Sequence, residues 1–225
     1  MSPARNTNGS SGQVPGMTRD EYAKACRALK RRDPVMRELM RRYGACGLAD
    51  SQHTDPYKAL VHAIMSQQLS TKAAATIARR FDDLFGGTFP GPSQVLAMPD
   101  DRLRSVGLSG MKVAFVKDLA RRVNDGSLHL DALRRMSDGE VIAELTKVKG
   151  IGRWTAEMFL MFRLHRPDVL PVGDLGIVNA IKKAYRLRKT PTPERMMRIG
   201  EIWRPYRSVA CWYLWASLDN EPLSD

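Results

Sequence analysis

The chain has 225 residues, and 36 Lys plus Arg set against 24 Asp plus Glu leave a net charge of +12 and an isoelectric point near 10.0. With 43% hydrophobic and 27% charged residues it is too apolar for a disordered polycation, and no run reaches the roughly 18 to 20 apolar residues of a membrane span. Three cysteines, Cys26, Cys46 and Cys211, at no metal-finger spacing, argue against a disulfide framework or a cysteine-held metal centre and read as small buried hydrophobes.

Residues 1–17 are rich in Ser, Gly, Asn and Pro without periodicity and lack the apolar core of a signal peptide. They are expected to be a flexible tail, and the default location is cytoplasmic. From Thr18 onward helix-start signals recur. Thr18 and Glu21 have capping-box spacing, followed by Asp33-Pro34, Asp55-Pro56, Ser70, Ser109, Ser137 with Glu140, and Thr192-Pro193. Gly44, Gly86, Gly107 and Gly126 supply stops. Between them apolar residues recur at three and four, as in Val113, Val116 and Leu119, and no segment alternates as a strand would. The expectation is an all-α body over 18–225, with about ten short helices and no sheet.

The charge is uneven. Residues 27–42 hold seven basic and two acidic groups and residues 181–207 hold nine and two, so these segments contribute +5 and +7 and account for the whole excess. They form one face or two, and by themselves fit nucleic acid, an anionic membrane surface or a solvated helix face.

The most informative stretch runs from Leu145 through Val148, Gly150-Ile151-Gly152 and Trp154 to Ala156. A helix, a Gly-x-Gly turn and a second helix make a helix-hairpin-helix. Its glycines permit close backbone approach, and the free amides opening the second helix suit a phosphate. Such a unit grips a DNA backbone without reading sequence; standing alone it is equally an ordinary helix–helix turn. Twenty residues beyond Trp154, in the Pro/Gly-rich link Pro171-Val-Gly173-Asp174-Leu-Gly176, comes an aspartate that opens another helix.

With that aspartate the sequence resembles the helix-hairpin-helix DNA glycosylases over roughly residues 55–215. Within them it is similar to the alkylation-repair branch of 3-methyladenine DNA glycosylase II enzymes, through Ala63-Ile-Met-Ser-Gln67-Gln68-Leu-Ser70, Gly-Arg-Trp154-Thr-Ala, and Trp203-Arg-Pro-Tyr-Arg-Ser208 with Trp215. The resemblance implies a monofunctional enzyme of the compact form, without an N-terminal β domain. It implies two helical lobes with the base pocket between them, acting as a monomer on double-stranded DNA that carries alkylated bases.

By the same resemblance Asp174 is the catalytic carboxylate, and Trp154, Met158 and Trp215 line the base pocket. Met158 stands where the inducible bacterial enzyme has tyrosine. Gln68 is the wedge that fills the gap left by a flipped base, and Ser70 a minor-groove contact. Gly150, Gly152 and Thr155 meet phosphates. No cofactor is needed for the chemistry, while the carbonyls of Thr146, Val148 and Ile151 match a structural Na⁺ or K⁺ site. Trp154 replaces the lysine with which bifunctional relatives form a Schiff base. Lys147 and Lys149 lie nearby, Lys112 is either a phosphate contact or a solvated lysine, and no second carboxylate stands at a matching position. The expected substrates are 3-methyladenine and 7-methylguanine, with 1-methyladenine and 3-methylcytosine as further candidates. An oxidised-base or mismatch glycosylase, and a non-catalytic DNA-binding scaffold, are the alternatives.

Overall fold

The computed structural model describes residues 16–50 and 55–219. Among them there are twelve α-helices, three short 3₁₀ turns and no strand. The helices are α1 (Arg19–Arg32), α2 (Pro34–Tyr43), α3 (Pro56–Ser66), α4 (Thr71–Leu84), α5 (Pro92–Ala97) and α6 (Asp100–Ser105), followed by α7 (Gly110–Asn124), α8 (Asp138–Leu145), α9 (Arg153–Phe162), α10 (Leu175–Ala184), α11 (Pro193–Gly200) and α12 (Arg207–Asp219).

Each start signal in the sequence is an N-cap. The side chains of Thr18, Asp33, Asp55, Ser70, Ser109, Ser137 and Thr192 all accept a backbone amide from the first turn they open. The additional helices beyond the expected ten include α5 and α6, six residues each. They begin at Gly91 and Pro99 with no side-chain cap and are too short to show a period. Met17, placed in the expected tail, donates its amide to the His165 carbonyl at 2.9 Å. The rest of the expected tail, residues 1–15, lies outside the described residues.

Packing follows the apolar faces and falls into two groups. Helices α4, α7 and α9 pack on α3, α5 and α6 on α7, and α8 on α9, while α1, α2 and α10 pack around α12. Helix α12 buries Val209, Ala210, Cys211, Tyr213 and Leu214, apolar on several faces as a central helix must be. Cys46 and Cys211 are buried and all three cysteines are free. Among the described residues no helix is long and apolar enough to cross a membrane.

The two basic segments meet. Asp33, 1% exposed between α1 and α2, accepts Trp203 Nε1–H at 2.8 Å and the Tyr185 hydroxyl, and the Arg32 guanidinium donates to the Arg204 carbonyl. Arg207 takes no part in this contact, being buried against Asp168 with Nε–Oδ1 at 2.6 Å.

Candidate active site and nucleic-acid surface

The hairpin joins α8 to α9, and its two glycines serve different ends. Gly150 has φ +81°, and a Cβ there would sit 2.1 Å from Phe115 Cδ2, so conformation and packing both demand glycine. At Gly152 a Cβ would meet nothing within 4 Å. Its bareness serves no internal contact and leaves the turn open on the outside. Gly152 caps α9 without a side chain, so the first amides of α9 have no capping side chain. Thr155 contributes to this turn only through its amide, because its side chain is buried and faces inward.

Beneath the turn lies Asp118 of α7, 3% exposed, which accepts the Lys149 amide at 3.0 Å and pairs with Arg122 and Arg121. Burial alone would raise its pKa, but the Lys149 amide and the two guanidiniums outweigh it and hold the carboxyl below its ordinary 3.8. Gln67 Nε2 donates to the Gly150 carbonyl at 2.7 Å and fastens the α3–α4 loop to the hairpin. Neither anchor was singled out from sequence, because each spans a separation, 31 and 83 residues, that carries no local pattern.

On that loop Gln68 is exposed and has φ +57°, a left-handed conformation that costs a non-glycine residue roughly 1 kcal/mol or more. Ser70 is exposed and caps α4. Lys112 is neither a free phosphate contact nor a solvated lysine, for its Nζ donates to the Met65 and Gln67 carbonyls at 2.8 and 2.7 Å and closes the end of α3. Lys147 is paired with Glu144, and Lys149 is exposed.

Asp174 caps α10, accepting the Ile177 amide at 2.7 Å through Oδ1. The same oxygen accepts Trp215 Nε1–H at 3.0 Å, and Oδ2 accepts Trp154 Nε1–H at 2.7 Å. Gly176 makes this possible, since a Cβ there would stand 3.0 Å from Oδ1 and 3.2 Å from the Trp215 ring. A half-buried carboxylate is thus held by one amide and two indoles, each donor oriented toward its negative charge. Trp154 remains 50% exposed, and Trp215 stacks on Phe162 with centroids 6.0 Å apart.

Met158 and Phe162 follow Trp154 at i+4 and i+8 on α9 and line a cavity of about 420 Å³ between α3, α4 and α9. Phe162 is a site residue that sequence reading passed over, although helical spacing from Trp154 would have found it. A second carboxylate, Glu157, is buried one turn along α9 and bonds Arg153 Nε at 2.9 Å. Burial raises its pKa more than Arg153 lowers it, and the charge of Asp174 adds to the rise. Among the described residues no cluster of His, Cys, Asp and Glu could hold a metal ion.

Known proteins resemble this chain in sequence and in fold. The sequence is 40% identical over 163 residues to DNA-3-methyladenine glycosylase 1 of Schizosaccharomyces pombe, covering 72% of each chain. The fold superposes with a TM-score of 0.71 on a 3-methyladenine DNA glycosylase of that yeast bound to abasic DNA, 36% identical, covering 86% of this chain and 96% of that one. It superposes at 0.69 on a DNA-3-methyladenine glycosidase of Bacillus halodurans, 39% identical, covering 74% and 76%. The sequence model of the HhH-GPD superfamily of base excision DNA repair proteins matches residues 61–205. That one run takes in the Gln67–Ser70 loop, the hairpin and Asp174, and by it the chain belongs to the HhH-GPD superfamily.

Proposed function

We propose that the chain is a monofunctional DNA glycosylase of base excision repair that flips alkylated bases out of duplex DNA and hydrolyses their N-glycosidic bonds. The observation that carries this reading is the grip on Asp174 by Trp154 and Trp215. As the C1′–N bond breaks, its electron pair leaves with the base and the sugar gains oxocarbenium character. A preoriented carboxylate stabilises that charge and orients the water whose oxygen bonds to C1′, the water's proton passing to the carboxylate and from there to solvent. A base alkylated on a ring nitrogen is cationic and departs neutral, which lessens the need for a general acid. Its charge also favours the faces of the two indoles. 3-Methyladenine and 7-methylguanine are the principal substrates in this reading.

Gln68 fills the gap left by the flipped base, and Ser70 lies toward the minor groove. Phosphates meet the open turn at Gly150 and Gly152 and the first amides of α9. The carbonyls of Thr146, Val148 and Ile151 offer hard oxygen donors suited to Na⁺ or K⁺. Val148 O already accepts the Ile151 amide at 3.1 Å, which leaves it one lone pair for an ion. Such an ion would stiffen the turn and takes no part in the chemistry. The indole at position 154 cannot form a Schiff base.

The test is base release from methylated duplex DNA, followed by chromatography. Asp174→Asn is expected to abolish release of 3-methyladenine and 7-methylguanine while duplex binding persists. Undiminished release by this variant would overturn the reading.

A further inference from the structure

A cavity of about 550 Å³ opens between α2, α10 and the last turn of α12, at the end of α10 remote from Asp174. The ten residues of α10 set it about 15 Å along the helix axis from that carboxylate. Its volume is that of a ligand-binding cleft, and the excision chemistry makes no use of it. The floor is apolar. Val35, Leu39 and Tyr43 recur at i, i+4 and i+8 on α2 and line it together. Val35 and Tyr43 stay half-buried, so the core covers this stripe only in part.

The rim is basic. Arg42 comes from the first basic segment and Lys183 and Arg186 from the second, against a single lining carboxylate, Glu38. Glu38 is already matched, since Arg42 Nε lies 2.6 Å and Arg41 Nη2 3.1 Å from its Oε1. Lys183 Nζ reaches the Ser217 carbonyl at 3.3 Å, while the Arg186 guanidinium has no partner among the described residues. Arg186 also stands where local structure favours another residue. The Leu187 amide donates to the Lys182 carbonyl at 2.9 Å and the Arg186 amide to that of Lys183 at 3.2 Å, which closes α10 with a left-handed turn. That turn holds Arg186 at φ +51°, in the position glycine ordinarily fills. The needs of the helix end therefore do not account for the guanidinium.

Floor and rim together narrow the occupant. A duplex would satisfy the cations but projects no apolar group to fill the floor, and an uncharged apolar segment would do the reverse. Carboxylates flanking one large apolar side chain match both. We infer that this cleft docks an acidic segment of a partner protein, with a bulky apolar side chain seated on the α2 stripe and its carboxylates against Arg42, Lys183 and Arg186. The occupant stands clear of Asp174, so the partner is held beside the site and not in it.

A fluorescein-labelled peptide of aspartates around a single phenylalanine, titrated with the full chain and read by anisotropy, tests this. Saturable binding at micromolar concentrations is expected. Exchanging the phenylalanine for alanine should weaken it at least about tenfold, the effect of leaving such a ring unburied. Arg42→Glu should weaken it about fivefold. Arg186→Gly should weaken it as well while the melting temperature stays equal or rises, because glycine suits the turn. Equal affinity for the alanine peptide would make the rim a general polyanion surface, open to duplex DNA, and would overturn the inference. So would binding that does not saturate, or unchanged affinity in both protein variants. A dimer of the chain that the peptide dissociates would assign the cleft to a second copy and overturn it too.

Discussion

Asp174 is an N-cap and, in the proposed function, a catalytic group, and the two roles reinforce each other. The Ile177 amide fixes the carboxylate as it would any cap, and the Trp154 and Trp215 indoles set the two oxygens. Trp215→Phe keeps a ring to stack on Phe162 and removes one donor to a charged acceptor, an interaction worth about 1.5–3 kcal/mol. Its loss should lower the melting temperature, and, because Trp215 also orients the carboxylate, single-turnover excision at a temperature where the variant stays folded should fall about tenfold or more. Unchanged excision under those conditions would assign Trp215 to packing alone. The aspartate was legible because its signature is local, a Gly/Pro-rich link opening a helix. Its donors lie 20 and 41 residues away, and sequence marked them only as pocket residues.

Neighbouring glutamines in the α3–α4 loop divide the work of that element. Gln67 points inward to the Gly150 carbonyl, while Gln68 is exposed in a left-handed conformation. Gln67→Ala should lower thermal stability by about 1 kcal/mol, the worth of an ordinary hydrogen bond. Gln68→Ala should leave stability unchanged and slow excision, as read by melting curves and base release on the same preparations. On the other side of the hairpin Asp118 links stability to pH. Its folded pKa lies below the unfolded value near 3.8, so its contribution is complete above about pH 4 and is lost as pH falls through the folded value. Asp118→Asn should therefore be less stable than the wild type at pH 7 and show a shallower loss as pH falls below about 4 in urea titrations. The helices themselves were legible because caps and 3.6-residue periods are written within a turn or two. What fastens one helix to the next is not, as Lys112 illustrates: a helix lysine by sequence, it is a clamp on two carbonyls of another element.

Across the whole molecule the two segments that carry the charge excess touch where Asp33 joins the ends of α1 and α10 to Trp203. Arg186, Arg188 and Lys189 are exposed on this region, at the end of α10 remote from Asp174. If they neutralise phosphates, replacing all three with glutamine should weaken binding equally for all duplex sequences. It should also reduce the slope of log affinity against log salt by up to about 0.9 for each phosphate no longer neutralised. An unchanged slope would make the region a solvated surface. By itself the sequence determined the all-helical class, the helix starts, the hairpin and its aspartate, since each depends on interactions among residues a few positions apart. Only the tertiary structure decided that the two basic segments touch at Asp33, that two indoles grip Asp174, that Thr155 turns inward and that a cavity opens beside Met158. Those features arise where side chains distant in the chain are brought within bonding distance, and no local spacing encodes that approach.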